Sequence, residues 1–345
     1  MDHARFPDRS ARGVSDIRRG DDALEAVSGG GFWALVATFE GEVTAIRFRD
    51  VQRLDGARRP AARAVDWAPL DRHWQSSLSP AAYVEAVKEV RRRIAAGTVY
   101  QVNVCRVLSH PLAEDADLDG LDGLLRQGNP APHAARIRCA EAGVDVVSAS
   151  PELFLARRGG RLVTRPIKGT APTPEQMLPK DHAENVMIVD LMRNDLSAVC
   201  EPGTVSVDEL CAFERHPGLV HLVSTVSGRV REGVTWREIF RATFPPGSVS
   251  GAPKSSALTA IADLETAPRG PYCGAIGWID ADRAEAELAV GIRTFWADRD
   301  SEGARWLRFG TGAGITWHSD PEGEWAETEL KAARLVGLAA GSVTP

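Results

Sequence analysis

The chain has 345 residues, 43% of them apolar and 26% charged, a balance that suits a soluble globular protein with a sizeable core. Its net charge of -6 and lack of a clustered basic face exclude the usual footprint of nucleic-acid binding. No stretch reaches the roughly 18 uninterrupted apolar residues of a membrane span. The five cysteines, Cys105, Cys139, Cys200, Cys211 and Cys273, are odd in number and none has C-x-x-C spacing, which argues against a disulfide framework and a zinc site. The opening MDHARFPDRSARG has no apolar run of the secretory kind, so a reduced, cytoplasmic protein is expected.

In chain order, residues 1–30 are polar and end in Gly29-Gly30-Gly31, which predicts a frayed start. Phe32, Ala34 and Val36, then Val43, Ala45, Ile46 and Phe48, predict a β-hairpin turning near Glu40-Gly41. Residues 51–78, rich in Arg, Ala, Pro and Asp, read as a connector. Ser79 and Pro80 open a helix over 80–96, with Val84, Val87, Val90 and Ile94 at helical spacing and Gly97 as its stop. Arg91-Arg92-Arg93 falls on the solvated side of that helix. Strands are predicted at 100–109, 144–148, 152–156, 161–167, 274–279, 287–296 and 305–309, and helices at 181–199, 235–243, 254–265 and 321–338. Short turns such as Arg158-Gly159-Gly160 favour antiparallel pairing over repeated βαβ units. The fold class is therefore α+β. Residues 1–79 form a short N-terminal region packed on a main domain of residues 80–345.

Four segments suit chemistry better than simple packing. In Arg165-Pro166-Ile167-Lys168-Gly169-Thr170 a strand delivers a lysine to a Gly-Thr turn. In solvent it is a plain surface charge; in a closed pocket it loses proton affinity and becomes a nucleophile. Asp181 and Glu184 share one helix face, where acids ordinarily complement the helix dipole. Glu324, Glu327 and Lys331 also share a face, and Glu–Lys pairing is their plain reading. Two helices that each offer an acidic pair could instead hold a hard cation such as Mg2+. Pro245 to Lys254 looks like a phosphate loop but fails the Walker pattern, since Ala252-Pro253 separates glycine from Lys254. Its backbone N–H groups still suit an anion, a carboxylate included, and Gly310 to Gly314 is a second such loop.

Taken in order, YQVN (100–103), SPELF (150–154), RPIKGT (165–170), ENVMIVDLMRNDL (184–196), HLVSTV (221–226), PGSVSGAPK (246–254), RGPYCGAIGW (269–278), GIRTF (291–295), GTGAGI (310–315) and SDPEGEWAETELKA (319–332) resemble the chorismate-utilising enzymes across about residues 80–340. That family makes anthranilate, aminodeoxychorismate, isochorismate or salicylate. The resemblance implies an α/β sandwich of two large, mostly antiparallel sheets with helices outside and a cleft between them. It implies a catalytic set of Lys168, Glu152, His221 and Gln101, and substrate contacts from Ser248, Gly251, Tyr272, Arg293, Gly314 and Lys331. It further implies Mg2+ held by Glu184 and Glu327, with Asp181 and Glu324 as supporting acids.

Two positions choose a branch within this resemblance. Gln101 stands where isochorismate and salicylate synthases carry a water-activating lysine, and PIKGT replaces the PIAGT of anthranilate enzymes. The implied reaction is attack of Lys168 on C2 of chorismate, with Glu152 protonating the departing C4 hydroxyl. Ammonia then displaces Lys168 to give 4-amino-4-deoxychorismate, the precursor of p-aminobenzoate in folate synthesis. With no Cys-His-Glu glutaminase segment in the chain, a separate glutamine amidotransferase subunit is expected to supply the ammonia. No LLES-like motif points to tryptophan feedback. The alternatives are anthranilate or 2-amino-2-deoxyisochorismate formation, an ammonia-independent isomerase or lyase, and a non-catalytic chorismate-binding subunit.

Overall fold

A computed structural model describes residues 1–54, 66–71, 73–216 and 219–341. Eighteen strands join in one hydrogen-bonded network, accompanied by seven α-helices among the described residues. All the pairings among the described residues are antiparallel, both across short turns and between strands distant in sequence, and the class is α+β. Strands of the two expected sheets are therefore continuous with each other.

The predicted hairpin is present as Phe32–Ala37 and Val43–Arg53, and its first strand also pairs with Ala275–Asp280. The helix Pro80–Ala95 starts where Ser79 Oγ accepts from the Ala82 N–H at 3.2 Å. Its Val87 and Val90 pack against Val102, Val104 and Ala257. Each such burial contributes about 1.5–3 kcal/mol. The strand Gln101–Pro111 runs beside Arg305–Ile315 over ten residue pairs, and its first two residues also pair with Gly251–Ala252. That close pass needs glycine at 251, because a Cβ there would lie 2.2 Å from the Gln101 carbonyl oxygen. The helices Trp236–Thr243, Lys254–Leu264 and Pro321–Ala339 lie close to their predicted places, and Pro179–Ser197 starts two residues early.

Four expectations need correction. The N-terminus is not frayed: His3–Arg5 pairs with His133–Cys139, and Arg9–Arg19 pairs with Val43–Arg53. Ala4, Phe6 and Ala11 are buried, and Arg9 lies 3.3 Å above the Trp278 ring, so a cation fills a place that apolar patterning would miss. The single strand expected over 287–296 is two, Glu285–Val290 and Thr294–Arg299, broken where Arg293 takes φ 53. The sequence reading also passed over the helix Leu118–Gly128 and the long strands Ser206–His216 and Leu219–Arg229. Of the connector 51–78, residues 55–65 and 72 lie outside the described residues; residues 51–53 belong to the hairpin strand, and Gln75–Ser76 pairs with Ser109 and Leu108.

Candidate active site

Ser248 is the meeting point of the site. It sits in the short Gly247–Val249 turn, and its carbonyl accepts from Lys168 Nζ at 2.9 Å and from Asn103 Nδ2 at 3.4 Å. Its hydroxyl lies against the Glu152 carboxyl. Glu152 ends a turn fixed by Ser150, whose Oγ donates to the Val290 carbonyl at 2.6 Å and accepts from the Glu152 N–H at 3.3 Å. Glu152 is only 5% exposed. Burial raises its pKa, against the opposing influence of Ser248 and Lys168. Burial lowers the pKa of Lys168, although Glu184 and Glu152 pull the other way. Acid and amine are thus both pushed towards their neutral forms.

The strand Ile167–Ala171 carries Lys168 and pairs with Leu219–Arg229, which sets Thr170 opposite His221. Thr170 Oγ1 and His221 Nδ1 are hydrogen-bonded at 2.8 Å, and the histidine is buried. The helix Pro179–Ser197 lies against these strands through Asn185, whose Nδ2 donates to the Leu222 carbonyl at 3.1 Å and whose Oδ1 accepts from Ser224. This fixes Glu184 beside Lys168.

Glu184 and Glu327 come from different helices and feel each other's charge. Burial raises Glu184, with Asp181 and Glu327 adding to the effect. Burial acts in the same direction on Glu327, but Lys331, at 2.7 Å, together with Lys180 and Lys168, brings it below the ordinary carboxylate range. Burial also raises Glu324, which accepts from Ser319 Oγ at 2.6 Å. Asp181 is turned back on its own helix, accepting from the Leu178 N–H at 3.0 Å. Among the described residues no three His, Cys, Asp or Glu side chains form a closed metal cluster. Mg2+ commonly takes only one or two protein carboxylates and keeps water or substrate oxygens, so Glu184 and Glu327, near enough to feel each other's charge, fit it.

The residues expected to hold substrate are placed unevenly. Gln101 is 1% exposed, and neither atom of its amide has a hydrogen-bond partner. Gly314 faces that amide, for a Cβ there would lie 2.4 Å from Gln101 Nε2. A buried unsatisfied amide is costly unless something else meets it. Arg293 is similarly uncompensated: among the described residues no side chain pairs with its guanidinium, and burial lowers its pKa with Arg334 adding to the effect. Lys331 donates to the Gly312 carbonyl at 3.1 Å besides pairing with Glu327. Tyr272 is buried, with its hydroxyl 3.9 Å from Cys105 Sγ, and a Cβ at Gly310 would meet its ring. Lys254 is not available to an anion, since it binds Asp195 at 2.7 Å and the Thr243 carbonyl at 3.0 Å.

Sequence reasoning passed over Asn103 and Lys180. Asn103 is two residues after Gln101 on a strand and so shares its face, a signal available from periodicity. Lys180 is four residues before Glu184 on a helix and lowers Glu184, Glu324 and Glu327 alike.

Comparison with known proteins bears on the family and the fold. Residues 38–337 match the family model described as chorismate binding enzyme. The chain is 38% identical to anthranilate synthase component 1 of Streptomyces coelicolor over 81% of its own length, and spans 55% of that relative. It is 35% identical to aminodeoxychorismate synthase component 1 of Klebsiella aerogenes, over 96% of this chain and 74% of the other. The crystal structure of anthranilate synthase component I from Streptococcus pneumoniae superposes with a TM-score of 0.80, at 22% identity, covering 97% of this chain and 92% of that one. The menaquinone-specific isochorismate synthase of Escherichia coli has the same fold, with a TM-score of 0.79 at 18% identity over 98% of this chain and 88% of the other. The fold that carries Ser248, Lys168 and Glu152 is thus a shared scaffold, and the chain belongs to the chorismate binding enzyme family.

Proposed function

We propose that the chain is a component I enzyme that converts chorismate and ammonia into 4-amino-4-deoxychorismate, the precursor of p-aminobenzoate. The observation that carries this reading is Lys168: a half-buried lysine, pushed towards its neutral form by desolvation and held by a carbonyl beside the buried acid Glu152. Residues 80–345 would carry the catalytic machinery and residues 1–79 would pack on it.

In this mechanism the Lys168 amine attacks C2 of chorismate, the ring double bond shifts, and the C4–O bond breaks. The neutral Glu152 carboxyl gives its proton to the leaving hydroxyl, which departs as water. The new secondary ammonium at Lys168 returns a proton to the Glu152 carboxylate. Ammonia next attacks C4 and the double bond shifts back. Glu152 protonates the departing Lys168 nitrogen and then recovers its proton from the new C4 ammonium. Both residues end as they began. Gln101 offers its unsatisfied amide to the incoming ammonia, and being no base it does not activate water. Arg293 grips a substrate carboxylate in a bidentate manner, and His221 lines the ring with Ser248, Gly251 and Gly314. Lys331 supplies a further cation, and Tyr272 supports the pocket wall from behind. Mg2+ held by Glu184 and Glu327, with Asp181 and Glu324 supporting them, would supply positive charge against the ring carboxylate. The ammonia would come from a glutamine amidotransferase partner. The setting would be the cytoplasm, and among the described residues no helix is long and apolar enough to cross a membrane.

A second reading is anthranilate formation, favoured by the 38% identity to the Streptomyces protein. One experiment separates the two. The purified chain is incubated with chorismate, Mg2+ and excess ammonium at alkaline pH, with and without an aminodeoxychorismate lyase, and products are resolved by mass spectrometry. An amino product that the lyase turns into p-aminobenzoate supports the main reading. Fluorescent anthranilate, or an amino product that the lyase leaves intact, overturns it.

A further inference from the structure

Three successive carbonyls of the turn that holds Lys168 are each met from elsewhere in the chain. Ser248 O receives Lys168 and Asn103, Val249 O receives Arg269 Nη1 at 2.9 Å, and Ser250 O receives the Asn103 N–H at 2.9 Å. Arg269 also donates from Nη2 to the Asn103 carbonyl at 2.9 Å. One guanidinium therefore holds both the Ser248 turn and the strand that carries Gln101 and Asn103.

Arg269 is 1% exposed and has a dedicated counter-ion in Glu265, which accepts from Nε at 2.8 Å and from Nη2 at 2.6 Å. Glu265 Oε1 also accepts from the Cys105 N–H at 2.8 Å, on the same strand. The Phe39 ring lies 4.1 Å from the guanidinium carbon. A buried charge is costly unless its donors are met, and here two carbonyls and a carboxylate meet the fork. Lysine has one nitrogen and cannot reach Val249, Asn103 and Glu265 in this arrangement. Peptide planarity ties the Ser248 carbonyl to the Val249 N–H, which bonds to the Pro246 carbonyl at 3.2 Å; Arg269 holds the next peptide through the Val249 carbonyl, and through the Asn103 carbonyl it holds the residue whose Nδ2 donates to Ser248.

We propose that Arg269 is a positioning residue for the covalent step: by fixing Val249 and Asn103 it fixes the Ser248 carbonyl, and through it the direction in which Lys168 presents its amine to C2. The proposal rests on the reading of Lys168 as the nucleophile. Arg269 acts on approach geometry and leaves substrate affinity to other residues. A misplacement of about 1 Å at a reacting group can cost about 100-fold in rate.

The test mixes enzyme, Mg2+ and chorismate without ammonia and follows the intact protein mass for a gain equal to chorismate less one water. Chorismate affinity is measured separately by calorimetry. In Arg269→Lys the adduct should form about 100-fold more slowly with chorismate Kd unchanged. Glu265→Gln, which keeps the shape but weakens the grip, should show a smaller loss in the same direction. A folded Arg269→Lys variant that forms the adduct at the wild-type rate overturns the proposal, as does one whose chorismate affinity falls in step with its rate. If neither variant folds, Arg269 is a purely structural residue and the proposal fails. A wild-type chain that forms no adduct overturns the reading of Lys168 itself, an outcome distinct from these.

Discussion

Lys168 gives its N–H to the peptide carbonyl of Ser248, at 2.9 Å, and forms no ion pair with a carboxylate among the described residues. A carbonyl is satisfied by a neutral amine as well as by an ammonium, so the lone pair can stay free to attack. Lys168→Ala should therefore abolish both the covalent adduct and the amino product, with kcat down by about 1,000-fold or more. Chorismate-dependent thermal stabilisation of the variant, retained while turnover is lost, would show that the pocket is intact.

In the proposed mechanism Glu152 arrives protonated, and burial raises its pKa in that direction against Ser248 and Lys168. Glu152→Gln keeps the shape and removes the proton. Release of the C4 hydroxyl should slow by about 100- to 10,000-fold. In rapid-mixing experiments the adduct step, and not chorismate binding, should carry the loss.

Asp195 provides a pH test of stability away from the chemistry. Burial raises its pKa from 3.8 to about 6, against the pull of Lys254. Between those values the folded chain binds more protons at this position than the unfolded chain does. The group's contribution is therefore fully present below the unfolded value and is lost as pH rises through about 6. The span corresponds to about 3 kcal/mol as an upper figure. Asp195→Asn should flatten this part of the profile when denaturant melts near pH 4 and near pH 7 are compared with wild type. An unchanged difference between the two pH values would show that Asp195 titrates alike in both states.

Removing Mg2+ with a chelator should stop turnover, and restoring it should recover activity. Glu184→Gln and Glu327→Gln should each weaken Mg2+ binding, measured by calorimetry in the presence of chorismate. Glu324→Gln, one step removed, should weaken it by about 10- to 100-fold. Equal Mg2+ affinity in all three variants would place the cation elsewhere.

Gly251→Ala should destabilise the fold by about 2–4 kcal/mol, since its Cβ would collide with backbone and its φ of 143 suits glycine. Urea denaturation would measure this. The neighbouring carbonyl belongs to Gln101 and cannot swing aside as a side chain could.

Much of the candidate site could be proposed from the sequence because its residues obey local periodicities. Helical spacing put Asp181 with Glu184, and Glu324 with Glu327 and Lys331; a strand running into a Gly-Thr turn singled out Lys168. What local pattern cannot carry is where a side chain goes once distant segments meet. Lys254 stands beside an anion-binding turn in sequence, yet its ammonium leaves for Asp195, 59 positions away. Tyr272 sits in a motif full of site residues, yet its hydroxyl goes to Cys105. In the fold, Arg9–Arg19 escaped notice because arginines and a small alanine hold positions where alternating apolar residues would have announced a strand. The break at Arg293 was hidden because its left-handed backbone interrupts a run of otherwise strand-forming residues.

The pairing of Phe32–Ala37 with Ala275–Asp280 bears on how the protein is made. The hairpin leaves the ribosome about 240 residues before its partner strand has been translated, so one edge must wait unpaired through most of synthesis. Contacts of such high order are slow to form, and a waiting apolar edge invites pairing with other nascent chains. Yield of this protein should depend on chaperone supply and translation rate more steeply than its finished stability would suggest.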